Sequence, residues 1–333
     1  MYSLIRSRRF EASDQRDKIY ALLGIVQHAV KAKERYEPVY VDRSPAETYT
    51  LAAIQLLEDS DDLLVLAHAE GHVFRVTAGL PSWVPDWSCT KVVGLGVTGY
   101  TRYSACGNPR DIRRHLRIDE HARKLHVKGI RLDHVGSVAE SKEEMLRGHP
   151  FENFLNMVSS VPQVDQAGRR LSNIIWRVLL TNTAGTPPMF PAPIGYGPAF
   201  ASWFMKKLEG IKEHVSPALI SQAIKALDIT NLISTTAALD TEDVERVDAQ
   251  DYEAAFSHSP HLRPFTTTGG CIGIGSESIM NGDSIWILAG SRVPIILKHM
   301  AQNSYQVVGG AYVHGFMQGE GLEVGSFEDI VLA

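Results

Sequence analysis

The last seventy residues carry the pattern that most restricts the fold. Three runs rich in β-branched and aromatic residues, Asp283–Leu288, Val293–Lys298 and Tyr305–Phe316, are separated by Gly290-Ser291 and Gln302-Asn303. Short runs with turn residues at that spacing predict strands of a meander or small barrel. Just upstream, Gly269-Gly270-Cys271-Ile272-Gly273-Ile274-Gly275 lacks the Lys-Ser/Thr of a phosphate loop and reads as a turn feeding a further strand.

The remainder is mixed. Ser44-Pro45-Ala46-Glu47 is a capping box with proline at the first helical position, and Tyr49, Ala52, Ala53, Leu56 and Leu57 follow at helical spacing. An earlier helix is expected from Ser13 to Leu23, with Gly24 in the C′ position. Leu63–Ala67 reads as a short buried strand, and strand-like runs are expected at Lys91–Leu95, Tyr100–Ala105 and Leu125–Ile130. Leu80 to Ser88 cannot be helical, because Pro81 and Pro85 push their predecessors toward extended geometry. Phe151 to about Leu227 is mostly helical. Ile174, Ile175, Val178 and Leu179 mark one apolar face; Leu219, Ile220, Ala223, Ile224 and Leu227 mark another. A proline-rich loop at 185–198 interrupts these helices, and an acidic connector spans Asp240–Asp251. The fold class is therefore α+β, helical segments packed with a C-terminal small β-barrel or meander. The expected divisions are a mixed segment at 1–150, a helical insertion at 151–250 and a β-rich subdomain at 251–333.

Composition excludes more than it assigns. The 333 residues are 44% hydrophobic and 21% charged, which fits a globule and not a disordered or fibrous chain. A net charge of −5, from 33 basic and 38 acidic residues, argues against nucleic-acid binding as the main task. Cys89, Cys106 and Cys271 are too scattered for a disulfide framework or a four-ligand zinc site. No apolar stretch is long enough to span a membrane, and Arg8, Arg9 and Glu11 interrupt any signal-peptide core. A cytoplasmic protein is expected.

Local chemical motifs are weak. Gly94-Leu95-Gly96-Val97-Thr98-Gly99 has dinucleotide-fingerprint spacing, with Asp119 downstream, but strand and turn residues follow where a helix N-terminus is needed. His68-Ala69-Glu70-Gly71-His72 is not the order of a zinc-protease helix. His115, His121 and His126 have no ligand spacing either, so no metal is expected. No Gly-x-Ser-x-Gly elbow occurs. Two aromatic-rich segments remain as candidate pocket walls. One is Leu80-Pro81-Ser82-Trp83-Val84-Pro85-Asp86-Trp87, whose indoles could equally plug the core. The other is Tyr312-Val313-His314-Gly315-Phe316-Met317-Gln318-Gly319-Glu320, where Glu320 could equally hold a turn.

Arg16-Asp17-Lys18-Ile19-Tyr20-Ala21-Leu22-Leu23-Gly24, the Leu80–Trp87 segment and Gly309–Glu320 together resemble, in type and order, the fungal heterokaryon-incompatibility (HET) proteins. Gly282-Asp283, Val293-Pro294 and Tyr305 fall where that family's C-terminal region has similar residues, although Ser276 replaces the proline of its Gly-x-Gly-Pro. The family's effector half resembles TIR-type nucleotide hydrolases. With Met1 only fifteen residues before Arg16, the resemblance implies that this half is missing and that none of its residues carries over.

Two functions are compatible with that resemblance. In the first, the scaffold encloses a hydrophobic terpenoid or polyketide intermediate as a cofactor-independent cyclase or pericyclase of fungal secondary metabolism. Trp83, Trp87, Tyr100, Tyr103, Tyr196 and Tyr312 would wall the substrate, with His314 as donor or proton shuttle and Glu320 orienting it. Its partner is then a small molecule, with self-association left open. In the second, the chain is a truncated incompatibility protein acting through partner binding in allorecognition and cell death.

Overall fold

The computed structural model describes residues 2–23, 37–91, 94–95, 102–108, 112, 114–121, 123–165, 167–234 and 247–333. Tyr100, most of the 94–99 glycine run and part of the acidic connector lie outside these residues.

Caps set the helix starts. In α3 (Pro45–Glu58) the Ser44 hydroxyl accepts from the Glu47 N–H, while the Glu47 carboxylate accepts from the Ser44 N–H at 2.7 Å. The same reciprocal box opens α5 (Lys142–Leu146) through Ser141 and Glu144, and α11 (Ala249–Ser257) through Asp248 and Asp251. After α1 (Tyr2–Ser7), the helix expected from Ser13 begins at Asp17 as α2 (Asp17–Leu23). The cause is local: Asp14 accepts from the Arg16 backbone N–H at 3.0 Å and from its guanidinium, fixing a turn ahead of the helix. Leu63–Ala67 is not a strand. Asp62 accepts from the Leu64 N–H at 3.0 Å and starts the single-turn α4 (Leu64–Ala67). Of the strands expected near Lys91–Leu95 and Tyr100–Ala105, the described residues Gly94, Leu95 and Ala105 are in turns.

The mid-chain helices are α6 (Glu152–Ser160), α7 (Leu171–Leu179), α8 (Tyr196–Ile211), α9 (Pro217–Ala226) and α10 (Ile229–Ser234). The expected face of α7 is buried throughout. On the α9 face only Ala223 and Leu227 are buried. No helix among the described residues is long and apolar enough to cross a membrane.

The strands are β1 (Leu116–Asp119), β2 (Lys124–Val138), β3 (Leu262–Thr267), β4 (Ile272–Ser276), β5 (Ser284–Leu288), β6 (Ile295–Ala301), β7 (Ser304–Val313) and β8 (Glu328–Leu332). Their order is β1-β2-β3-β4-β7-β6-β5, and β2 pairs again with β5, so β2 through β5 close a six-stranded barrel. The β5–β7 meander matches the three C-terminal runs, with Gln302 taking positive φ in the β6–β7 turn. β8 lies antiparallel to β2 and parallel to β7. Closure needs β2 to come very near β5. A Cβ at Gly129 would lie 2.8 Å from Leu288 Cδ2 and 3.1 Å from the Trp286 ring, so a side chain there would force those neighbours to shift.

Contacts divide the chain into two units. The first is Met1–Leu132, Asp283–Ala311 and Gly315–Ala333; the second is Asp133–Gly282 with Tyr312–His314. In the first, Tyr49, Leu57, Trp83, Trp87, Trp286 and Ile287 are fully buried. The second has an aromatic core between α8 and α11. Phe200 stacks on Phe204 with centroids 5.5 Å apart, and Trp203 lies 4.7 Å from Phe256.

Candidate functional site

Three constellations in the described residues combine charge, burial and convergence. The first gathers the motif segments of the first unit. Its stretch 80–88, which forms no helix or strand, is held by two charged side chains, the partly buried Arg75 and the buried Asp86. Arg75 donates to the carbonyls of Leu80, Pro81, Ser82 and Val84. Asp86 accepts from the backbone of Val76, Thr77 and Ser88 and from the Thr77 hydroxyl. Trp83 is wholly buried, and its indole N–H donates to the Arg123 carbonyl at 3.0 Å. Trp87 meets Tyr49 edge-on, centroids 5.4 Å apart. Tyr49 in turn donates to the Gln15 carbonyl and lies 2.7 Å from the Ser88 hydroxyl. The segments at Arg16 and Leu80 thus meet on α3, as packing and not as an open wall. Tyr103 is buried in the same unit.

Within this unit Arg8 Nη1 lies 3.1 Å from both oxygens of Glu70, and its Nη2 donates to the His68 carbonyl. Burial pushes the Glu70 carboxyl up against the pull of Arg8, and burial together with Arg8 keeps the His68 imidazole neutral. The His68-Ala69-Glu70 segment is therefore part of a buried ion pair. Cys89 is also buried, and burial raises its thiol away from nucleophilic range.

The second constellation lies at the C-terminal end of β7, in the second unit. The His314 N–H donates to the Ile272 carbonyl of β4, and its Nδ1 is 3.2 Å from the Tyr312 hydroxyl. Burial, with Arg169 and Arg177 nearby and Asp165 opposing, lowers the imidazole to about 4. At neutral pH this is a neutral ring able to exchange hydrogen bonds with a phenol. The Cys271 thiol, which feels the same Asp165 and Arg169, is raised by burial, so it is no ready nucleophile. Arg177 donates to Asn182 Oδ1 at 3.1 Å and to the Ala192 carbonyl at 2.8 Å, anchoring the proline-rich loop. Tyr196, buried, opens α8 at the end of that loop. Glu320 belongs to the first unit, where its carboxylate accepts from the Gln318 N–H at 2.7 Å and holds a turn. Of the predicted site residues, the structure brings Tyr312 and His314 into direct contact.

The third constellation has no counterpart in sequence spacing. In the second unit His261 Nδ1 lies 3.2 Å from Glu143 Oε2 and 3.1 Å from Glu277 Oε1, and the three donor atoms fall within 4.8 Å of one another. One imidazole and two carboxylates are a donor set able to hold a divalent cation. Glu143, His261 and Glu277 are far apart along the chain, and β3–β4 pairing brings the last two together through Leu262 opposite Ser276.

Comparison with known proteins bears on the barrel. Residues 223–332 match the family model described as the Het-6 beta-barrel domain. That stretch contains β3 to β8, whereas β2, which closes the ring, lies outside it. The chain is 28% identical over 92 residues to heterokaryon incompatibility protein 6, OR allele, of Neurospora crassa. The alignment spans 27% of this chain and 14% of that relative. No solved structure matches.

Proposed function

We propose, from the premise that the barrel relates this chain to the fungal heterokaryon-incompatibility proteins, that it acts in allorecognition through binding to a protein partner. The observation carrying this reading is the agreement between the Het-6 beta-barrel match over residues 223–332 and the strands that occupy them. The Neurospora relative, named for heterokaryon incompatibility, supports the same direction. The cyclase reading draws no comparable support. Its proposed walls Trp83, Trp87 and Tyr103 are buried in packing, and the Trp83 N–H is committed to the Arg123 carbonyl.

The test is genetic and physical together. The chain is expressed in Neurospora crassa strains carrying the OR allele of the relative and in strains carrying a different allele. The expected result is growth arrest in one allelic background only, with a partner recovered by crosslinking in that background. Equal growth in both backgrounds, with no crosslinked partner, overturns the proposal.

A further inference from the structure

We propose that Glu143, His261 and Glu277 form a binding site for a divalent transition-metal ion, with Zn2+ the best fit to the donor set. The proposal is independent of the partner-binding reading and rests on convergence. His261 Nδ1 is 3.2 Å from Glu143 Oε2 and 3.1 Å from Glu277 Oε1. Zn2+ bound to nitrogen and oxygen at about 2 Å sets tetrahedral donors roughly 3.3 Å apart. Two of the three donor separations already have that length.

A proton is a poorer occupant. One ring nitrogen carries one N–H along one direction, so it must be shared between the two carboxylates, and both hydrogen bonds weaken. A cation at the centre of the three donors binds each along its own lone pair. It also offsets the repulsion between two carboxylates whose oxygens are within 4.8 Å of each other.

The backbone holds the donors in place before any ion arrives. The Glu277 N–H donates to the His261 carbonyl at 3.2 Å, and the Glu143 N–H donates to the Pro260 carbonyl at 2.8 Å. The other oxygen of Glu143 is taken by Arg147 at 2.6 Å, the kind of outer partner that orients a metal-binding carboxylate. His261 is 8% exposed, and the carboxylates reach it from the start of α5 and the end of β4. The ion therefore pins α5 to the ends of the β3–β4 pair. With three protein donors, a fourth position is open to water or to a ligand from outside. The absence of a thiolate from the donor set favours Zn2+, Co2+ or Mn2+ over Cu(I).

The test uses the full chain stripped with EDTA and titrated calorimetrically with Zn2+, with Mg2+ as the contrast. One saturable Zn2+ site is expected, accompanied by a rise in Tm, and Mg2+ produces neither. Glu277→Gln and His261→Asn each weaken binding at least tenfold and abolish the Tm rise. Glu277 is partly exposed, so Glu277→Gln retains the wild-type circular dichroism even where His261→Asn does not. Co2+ substitution gives visible bands free of thiolate charge transfer. Absence of a saturable site overturns the proposal, as does Zn2+ binding unchanged in Glu277→Gln.

Discussion

Trp87 stands edge-on to Tyr49, the ring planes at 89° and the centroids 5.4 Å apart. This contact and the two hydrogen bonds of the Tyr49 hydroxyl join the segment after Pro85 to α3 and to Gln15. Tyr49→Phe keeps the ring contact and loses the hydroxyl, at a cost of about 1–2 kcal/mol. Trp87→Ala loses the contact and leaves a cavity, at a cost of about 3–5 kcal/mol. Urea unfolding of both variants checks the order; equal losses would count against the packing role of the indole.

The Arg8–Glu70 pair is nearly closed to solvent, with side-chain exposures of 5% and 3%. Glu70→Gln strands a buried guanidinium and is expected to cost about 3–5 kcal/mol. The double variant Arg8→Met/Glu70→Leu is expected to recover most of that loss. A double-mutant cycle in guanidinium chloride measures the coupling, and strictly additive losses contradict the assignment.

Lys142 on α5 is 2% exposed, with its ammonium 4.6 Å from the centre of the Phe256 ring. Burial lowers its pKa from 10.5 to about 7. Between those values the unfolded chain binds the proton that the folded chain releases, so this group makes stability rise with pH. Below the folded value both states are charged and the full desolvation cost remains. Lys142→Met is therefore expected to raise the urea midpoint at pH 7 and to flatten its rise toward pH 9.5. A lower midpoint in the variant at pH 7 refutes this.

Residues 223–332 leave out β2, so in that fragment β3 and β5 each lose a strand partner. Unpaired edges of this kind associate. Size-exclusion chromatography is expected to show the fragment aggregated, and inclusion of residues 116–138 through a linker is expected to restore a monomer with strand-type circular dichroism. A monomeric, cooperatively folded 223–332 fragment disproves the requirement.

Local interactions were the legible ones. The Ser44 box, the β5–β7 turns and the face of α7 each follow from residues a few positions apart. Leu63–Ala67 reads as a strand because a five-residue apolar run has no period of its own, whereas the side chain of Asp62 decides the helical turn. β3 was missed because Pro264 sits within it. Pro264 lacks the donor of a central strand, yet its carbonyl still accepts from Ala139 at 2.9 Å. The double reading of Trp83 and Trp87, wall or core plug, needed the contacts of Tyr49 and Arg123. The Glu143–His261–Glu277 cluster had no signature at all, since no spacing rule relates residues joined only by strand pairing and a helix start.

The dependence of the barrel on β2 also has a consequence during synthesis. β2 leaves the ribosome more than a hundred residues before β3 and β5, both of which pair with it. Contacts so distant in sequence form late, and a nascent strand waiting for them is open to wrong pairing. Ring closure thus waits on strands made long after β2, and its yield in the cell is set by how well β2 is shielded until they appear.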